Sequence, residues 1–331
     1  MKPHNTHPPH PHNVVFVSRE TLKNVAFKIE ISIDFLKNAC YTFISDRLIA
    51  TMCLSTLRRK YTLKARRKGK DVIVISFANQ KGGVGKTTSA INCAATLGML
   101  GKRVLLIDLD PQGSTTSGLG IHKSTLKRSS YDVLVGKCEK ITDAIIKTDY
   151  KNLSVLPSNM NLAAVELELS EFSNRHARLK SHIDKLKEER LFDYVIIDCP
   201  PSLSIVTINA LSASSYLIIP AQCEFYALEG LTQLMMSVKA IRQRFNPKLI
   251  ICGILITMYN PRYKLSAQVI NELTKYYGDL LFDTKISRLV AISEAPSFGE
   301  PIYYYSRYSK GSLEYQKLTK EILNRIEGEI L

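Results

Sequence analysis

VIVISFANQKGGVGKTTS, residues 72–89, decides how the rest of the chain is read. Its opening residues, Val72 to Ala78, are apolar and largely β-branched, the pattern of a strand buried on both faces. Lys81, Gly82, Gly83, Val84, Gly85, Lys86, Thr87 and Thr88 follow, and then a helix-like run, AINCAATLGMLG. Strand, glycine loop and helix in that order form the context in which a short glycine motif becomes a phosphate site. Glycines let backbone N–H groups curl around phosphate oxygens, and the helix presents its positive N-terminus to them. The chemistry assigns Lys86 to the β- and γ-phosphates and the Thr87 hydroxyl to Mg²⁺.

The loop departs from G-x-x-x-x-G-K-[ST] at its first position, which is Gln80, and it carries a second lysine, Lys81. In that form KGGVGKT resembles the deviant Walker A loop of the ParA/Soj/MinD ATPases. The resemblance implies ATP and Mg²⁺ as ligands and a homodimer in which Lys81 crosses the interface to the partner's nucleotide.

Composition bounds the rest. The 331 residues are 45% hydrophobic and 23% charged, enough for one large α/β domain plus an appendage. The net charge of +15 is uneven, because residues 1–70 hold 14 Lys/Arg against 4 Asp/Glu. Residues 71–331 are therefore only mildly basic, and the overall charge by itself does not make them a nucleic-acid binder. Cysteines 40, 53, 93, 138, 199, 223 and 252 form no C-x-x-C pair. That spacing suggests reduced, buried thiols rather than zinc ligands or disulfides. No apolar run approaches the roughly 20 residues of a membrane span, and Met1 is not followed by a signal-peptide pattern. A cytoplasmic protein is expected.

The division expected is a basic, partly disordered extension over 1–70 and an ATPase domain over 71–331. MKPHNTHPPHPHN at the start pairs histidines with prolines that resist a fixed metal geometry. An amphipathic helix is compatible with residues 31–57. LRRKYTLKARRKGK, residues 57–70, carries eight basic residues and no acidic one; it reads either as an arm on phosphates or as a solvated linker.

Further along, KRVLLIDLDPQGSTTSGLG (102–120) reads as a second strand ending at Asp108 and Asp110. Carboxylates at strand ends of an open α/β sheet face the ligand crevice, and without a cation there they are costly. The block resembles the family's switch region. That resemblance assigns Asp110 to the attacking water and Asp108 to a magnesium-bound water. Residues 121–150 read as a helical insert, 152–169 as a strand then a helix, and 171–190 as a charged helix. FDYVIIDCPPS (192–202) is a buried strand ending in Asp198, a Walker-B-like element facing Mg²⁺ through water. SYLIIPAQCEFYALEGL (215–231) resembles a family segment near the dimer interface, with Glu224 as a candidate there.

KLIICGILITMYNPRYKLS (248–266) gives a strand and a loop with Arg262 and Lys264. FDTKISRLVAISEAPSFGEPI (282–302) is similar to the family's P-R-N-V-R-L-S-E-A-P-S segment. Ser287, Leu289 and Ala291 replace its proline, asparagine and second arginine, while Arg288 remains. The resemblance places Pro296 near the adenine. It makes Arg262, Lys264 and Arg288 candidates for non-specific DNA binding. The last segment, 312–331, reads as an amphipathic helix with polar residues of both signs that packs on the core. A MinD-like anchor would be basic and bulky-apolar.

The resemblance covers about residues 72–327. It implies a doubly wound, mostly parallel sheet of P-loop NTPase type with flanking helices. The activity it implies is a slow ATPase of chromosome or plasmid partition, nucleoid-associated and stimulated by a ParB-type partner, without a membrane. The alternative is a MinD-like or cargo-positioning ATPase at a membrane or cell pole. An iron–sulfur carrier would need cluster cysteines, for which Cys199 and Cys223 are the nearest candidates.

Overall fold

Five short runs rich in Val, Ile and Leu cannot satisfy their backbone or hide both faces except inside a sheet covered on each side. The computed structural model, which describes residues 72–224 and 227–328, builds that sheet. The basic extension expected over 1–70 lies outside the described residues, as do its histidines and the helix considered for 31–57.

The strands are β1 (Ile73–Phe77), β2 (Val104–Asp108), β3 (Ile146–Lys147), β4 (Leu153–Leu156), β5 (Tyr194–Asp198), β6 (Tyr216–Gln222) and β7 (Ile250–Thr257). They lie in the order β3-β4-β2-β5-β1-β6-β7, all parallel except the β3–β4 pair. The helices are α1 (Lys86–Met99), α2 (Ser114–Gly118), α3 (Ser130–Val135), α4 (Val165–Leu169), α5 (Arg178–Glu189) and α6 (Ile205–Ala213). They continue as α7 (Ala227–Arg244), α8 (Lys264–Tyr277), α9 (Val290–Glu294), α10 (Ile302–Tyr305) and α11 (Lys310–Glu327). This is the doubly wound, mostly parallel sheet expected from the sequence.

Alternation along the strands feeds two cores. Ile75, Phe77, Leu106, Ile196 and Ile218 pack with Ala94, Leu97, Leu318 and Ile322 of α1 and α11 in one cluster. Their neighbours Val74, Leu105, Val195 and Leu217 point the other way and are equally buried. On that side α6 packs on β1, α5 and α7. The chain leaves β1 toward β2 and leaves adjacent β5 toward β6. Connections parting in opposite directions open a crevice at the carboxyl ends of β1 and β5.

Residues 121–150 are not a helical insert. The capping box of Ser129 and Asp132 starts α3, and Gly136, in the left-handed region at φ 87°, ends it after six residues. Two single 3-10 turns and the edge strand β3 make up the rest of its regular structure. Helix α5 spans only the second half of 171–190, burying Leu179, Ile183 and Leu186. Helix α11 buries Tyr315, Leu318, Thr319, Ile322 and Leu323 as a packing helix should. Ile330 falls outside the described residues.

One close approach ties distant loops. Gly299, at φ 71°, backs onto Gly120, at φ 78°. A Cβ on Gly299 would stand 2.5 Å from the Gly120 Cα and 2.8 Å from its nitrogen. Gly299→Ala therefore meets both backbone strain and a backbone clash. It should lower the unfolding free energy by about 1–3 kcal/mol in urea titrations. Gly82→Ala, where nothing lies within 4 Å of the added carbon, should leave stability close to wild type.

Candidate functional site

The loop after β1 is shaped by two left-handed glycines, Gly83 at φ 70° and Gly85 at φ 82°. Three neighbours pin it. The Asn79 side chain donates to the Pro220 carbonyl (2.7 Å) and accepts from the Lys81 N–H (3.0 Å). Gln222 Nε2 donates to the Gly83 carbonyl at 2.8 Å. Buried Thr257, ending β7, donates its hydroxyl toward the Val84 carbonyl at 2.8 Å and lies 3.2 Å from the Ala221 carbonyl. Gly82 and Gly83 face open space, so a ligand can approach the backbone there.

Gly85 caps α1, and the first intrahelical bond runs from Ser89 N to Gly85 O. The N–H groups of Lys86, Thr87 and Thr88 therefore have no intrahelical acceptor and lie at the positive end of the helix dipole. Lys86 is buried, and its Nζ donates to the Lys81 carbonyl at 3.0 Å. Burial lowers its pKa, while the charges of Asp198 and Asp110 oppose that shift. Val84 is buried beneath the loop, while Thr87 and Thr88 are half-buried.

Asp108 and Asp198 end neighbouring parallel strands in direct register, Asp108↔Asp198, and both are fully buried. Burial is the main cause that raises the pKa of each, and the charge of Asp108 raises that of Asp198 further. Donors offset this. Thr116 bonds Asp108 Oδ2 through its N–H (2.8 Å) and hydroxyl (2.7 Å), and the Asp110 N–H reaches Asp108 Oδ1 at 3.1 Å. Thr115 donates to Asp198 Oδ2 at 2.8 Å, and the Thr87 side chain also favours the ionised form. Asp198 Oδ1 is buried without a partner. Asp110 is half-buried, and its carboxylate accepts from the Gln112 N–H at 2.9 Å.

These residues fit a magnesium ion. Two adjacent buried carboxylates, an orphaned acceptor and the Thr87 hydroxyl form an oxygen-rich site beside the loop. Mg²⁺ commonly binds through few protein oxygens, waters and phosphates. Among the described residues no cluster of three or more His, Cys, Asp or Glu side chains could hold a metal unaided. Both Asp108 oxygens already accept from the chain, so the spare acceptor belongs to Asp198.

The Lys81 side chain is held only by its tip, while its backbone is fixed by Asn79 and Lys86. Its ammonium pairs with Glu224 of the same chain, and the two side chains are 48% and 47% exposed. Pro296 sits in the 3-10 turn Ala295–Phe298 and lies against α2, 3.8 Å from where a Gly118 Cβ would be.

The candidate DNA residues come from two segments that the fold joins. Tyr259 pairs with Ser287 in an isolated parallel bridge. Tyr259 N bonds the Ile286 carbonyl (2.8 Å), and Arg288 N bonds the Tyr259 carbonyl (3.2 Å). Arg262, Lys264 and Arg288 are all exposed. Lys264 is the first residue of α8, not a loop residue as expected, because the turn closes at Tyr263. Sequence reasoning missed Lys285, whose ammonium lies 5.9 Å from the Tyr259 ring centre. It also missed Thr115, Thr116, Gln222 and Thr257. Cys223 is half-buried, unlike the buried thiols expected, while Cys93, Cys138, Cys199 and Cys252 are buried.

Fold, loop and strand-end carboxylates define a P-loop nucleoside-triphosphate-binding protein. A family model described as an AAA domain matches residues 72–251. The chain is 45% identical over 252 residues to the chromosome partitioning protein ParA of Caulobacter vibrioides, covering 76% of this chain and 94% of the relative. It is 48% identical over 249 residues to the sporulation initiation inhibitor protein Soj of Bacillus subtilis, covering 75% and 97%. It thus belongs to the ParA/Soj family of partition ATPases.

Solved structures agree. Cobyrinic acid a,c-diamide synthase from Mycobacterium smegmatis, with bound ADP and magnesium, matches with a TM-score of 0.68 and 36% identity over 78% of this chain and 96% of that one. A plasmid partition protein from Borrelia burgdorferi matches with a TM-score of 0.61 and 28% identity over 77% and 100%. Among the described residues no helix is long and apolar enough to cross a membrane.

Thr257→Val deletes the donor to the Val84 carbonyl while keeping the side chain's shape. It should cost about 1–3 kcal/mol of stability by chemical denaturation, and Thr257→Ser should restore most of it.

Proposed function

We propose that this chain is a partition ATPase that dimerises on Mg-ATP, binds DNA without sequence preference as a dimer, and releases it after hydrolysis. A ParB-type protein stimulates that hydrolysis. The observation that carries the reading is the placement of Lys81: at the mouth of the phosphate loop, held outward by a half-exposed ion pair with Glu224. Exposed ion pairs are worth only about 0–1 kcal/mol. A partner's triphosphate offers several negative charges for the single one that Lys81 gives up. The exchange is favourable in sign, and it needs a second copy of the chain.

Within one subunit the loop from Gly82 to Gly85 and the free amides of Lys86, Thr87 and Thr88 bind the phosphates. Thr87 and Asp198 are the residues that would hold Mg²⁺, with Asp108 behind them. When bound, the ion would supply neutralisation of the negative charge on the phosphates. Lys86 and the partner's Lys81 add positive charge where negative charge develops. Asp110 orients the attacking water, and the turn at Pro296 covers the adenine. Arg262, Lys264 and Arg288 contact DNA phosphates, and pairing two subunits multiplies those contacts through avidity. The names of the relatives in Caulobacter vibrioides and Bacillus subtilis support this reading. The protein then acts in the cytoplasm on the nucleoid, and its ATPase domain begins near Asp71.

The test is retention on plasmid DNA and on liposomes with ATP, ADP or no nucleotide, alongside sedimentation. ATP-dependent dimers that retain DNA and ignore liposomes are expected; retention on liposomes alone would favour a MinD-like role. Lys81→Ala should keep ATP binding within a fewfold and lose the dimer. Replacing Arg262, Lys264 and Arg288 together by alanine should weaken DNA binding at least tenfold and flatten its salt dependence, with dimer formation kept. A chain that stays monomeric in saturating Mg-ATP would refute the proposal.

A further inference from the structure

The two fully buried carboxylates at the ends of β2 and β5 are each claimed by one of two consecutive residues of α2. Thr116 holds Asp108, and Thr115 holds Asp198. The Thr116 hydroxyl also accepts from the Ser158 N–H at 2.9 Å, so its own hydrogen is committed to Asp108. The Thr115 hydroxyl is fully buried and bonds Asp198 Oδ2. That contact leaves the other oxygen of Asp198, Oδ1, buried and unpartnered in the neighbourhood of Thr87.

We propose that Thr115 is a positioning residue for magnesium: its hydroxyl fixes the rotation of the Asp198 carboxylate so that Oδ1 stays available to the water shell of the ion. Without this donor only the Thr87 side chain, which also favours the ionised form, is left to hold the rotation of the carboxylate. Each metal-binding event then has to order the group first. With the donor in place the ordering is built into the fold, which is how outer partners of metal ligands generally act. Because Thr115 lies on α2, five residues beyond Asp110, the same bond ties that helix to β5, which ends at Asp198.

This inference rests on the assignment of Asp198 to the magnesium side of the site, so the experiment separates the two. The measurement is binding of a fluorescent methylanthraniloyl-ATP to the full chain, in EDTA and across a magnesium titration, without turnover. For Thr115→Val the affinity in EDTA should stay within about twofold of wild type. The magnesium concentration that gives half of the metal-induced gain should rise about tenfold, the usual scale for losing a hydrogen bond to a charged group. Thr115→Ser should restore the wild-type midpoint. Thr115→Ala serves as a second deletion if the valine methyl prevents folding, judged by a cooperative melt. Asp198→Asn is the control and should abolish most of the metal-induced gain.

If Thr115→Val and Thr115→Ala keep the wild-type midpoint while Asp198→Asn loses the gain, Thr115 does not position the ligand. If affinity falls equally with and without magnesium, its role is merely structural and the proposal is overturned. If Asp198→Asn keeps the full gain, the magnesium assignment itself fails and takes this inference with it.

Discussion

Two carboxylates stand side by side at the ends of neighbouring strands, and neither reaches solvent. Parallel strands run about 4.8 Å apart. Like charges at that distance repel by about 3 kcal/mol even at an effective dielectric of 20, before any desolvation cost. The sheet accepts the arrangement because Lys86, Thr115, Thr116 and backbone amides converge on it. The compensation is incomplete, since one Asp198 oxygen has no partner. A buried site short of positive charge and donors fits a cation.

Around that point the molecule divides into parts that are fixed and one part that is not. Asn79, two residues past β1, and Gln222 and Thr257, which end β6 and β7, hold the loop through backbone carbonyls or amides. Such bonds leave the loop little to reorganise on binding, which keeps the entropic cost of recognition low. The Lys81 side chain is the exception, held by a single exposed pair. A rigid cradle with one loosely tethered cation suits a site completed by a second molecule. Tight tethering of Lys81 would instead tax the proposed closure of two copies.

The sequence made legible whatever depends on near neighbours. The strand, glycine loop and helix of 72–99 are contiguous, and strand-end aspartates follow from apolar runs that stop at a charge. What it hid depends on register. Thr115 and Asp198 are 83 positions apart, and only the pairing of β2 with β5 brings α2 over both carboxylates. Gly120 and Gly299 look like ordinary turn residues until the fold presses one against the other. The insert at 121–150 misled for a different reason: Gly136 ends α3 after six residues, and the rest of its helical backbone is two short 3-10 turns. The roles of Lys81, Pro296 and the surface cations came from family resemblance, since a lone exposed lysine or arginine has no reading of its own.

The strand β7 links the two surfaces that the proposed mechanism must connect. Its last residue, Thr257, holds the phosphate loop through the Val84 carbonyl. The next, Met258, is in the left-handed region at φ 50°, unusual for a residue with a side chain. Its sulfur lies 2.9 Å from the same Gln222 nitrogen that grips Gly83. Tyr259 then bridges to Ser287, which places Arg288 beside the turn bearing Arg262. The Val84 carbonyl is thus joined to Arg288 by a short covalent and hydrogen-bonded route through Thr257, Met258 and Tyr259. Ala291 stands where the family segment has its second arginine, and Lys285, over the Tyr259 ring, adds a cation close to this bridge. Under the proposed DNA binding, non-specific phosphate contacts need charge density rather than a particular residue, so Lys285 would serve in place of an arginine where a base-reading contact would not allow it.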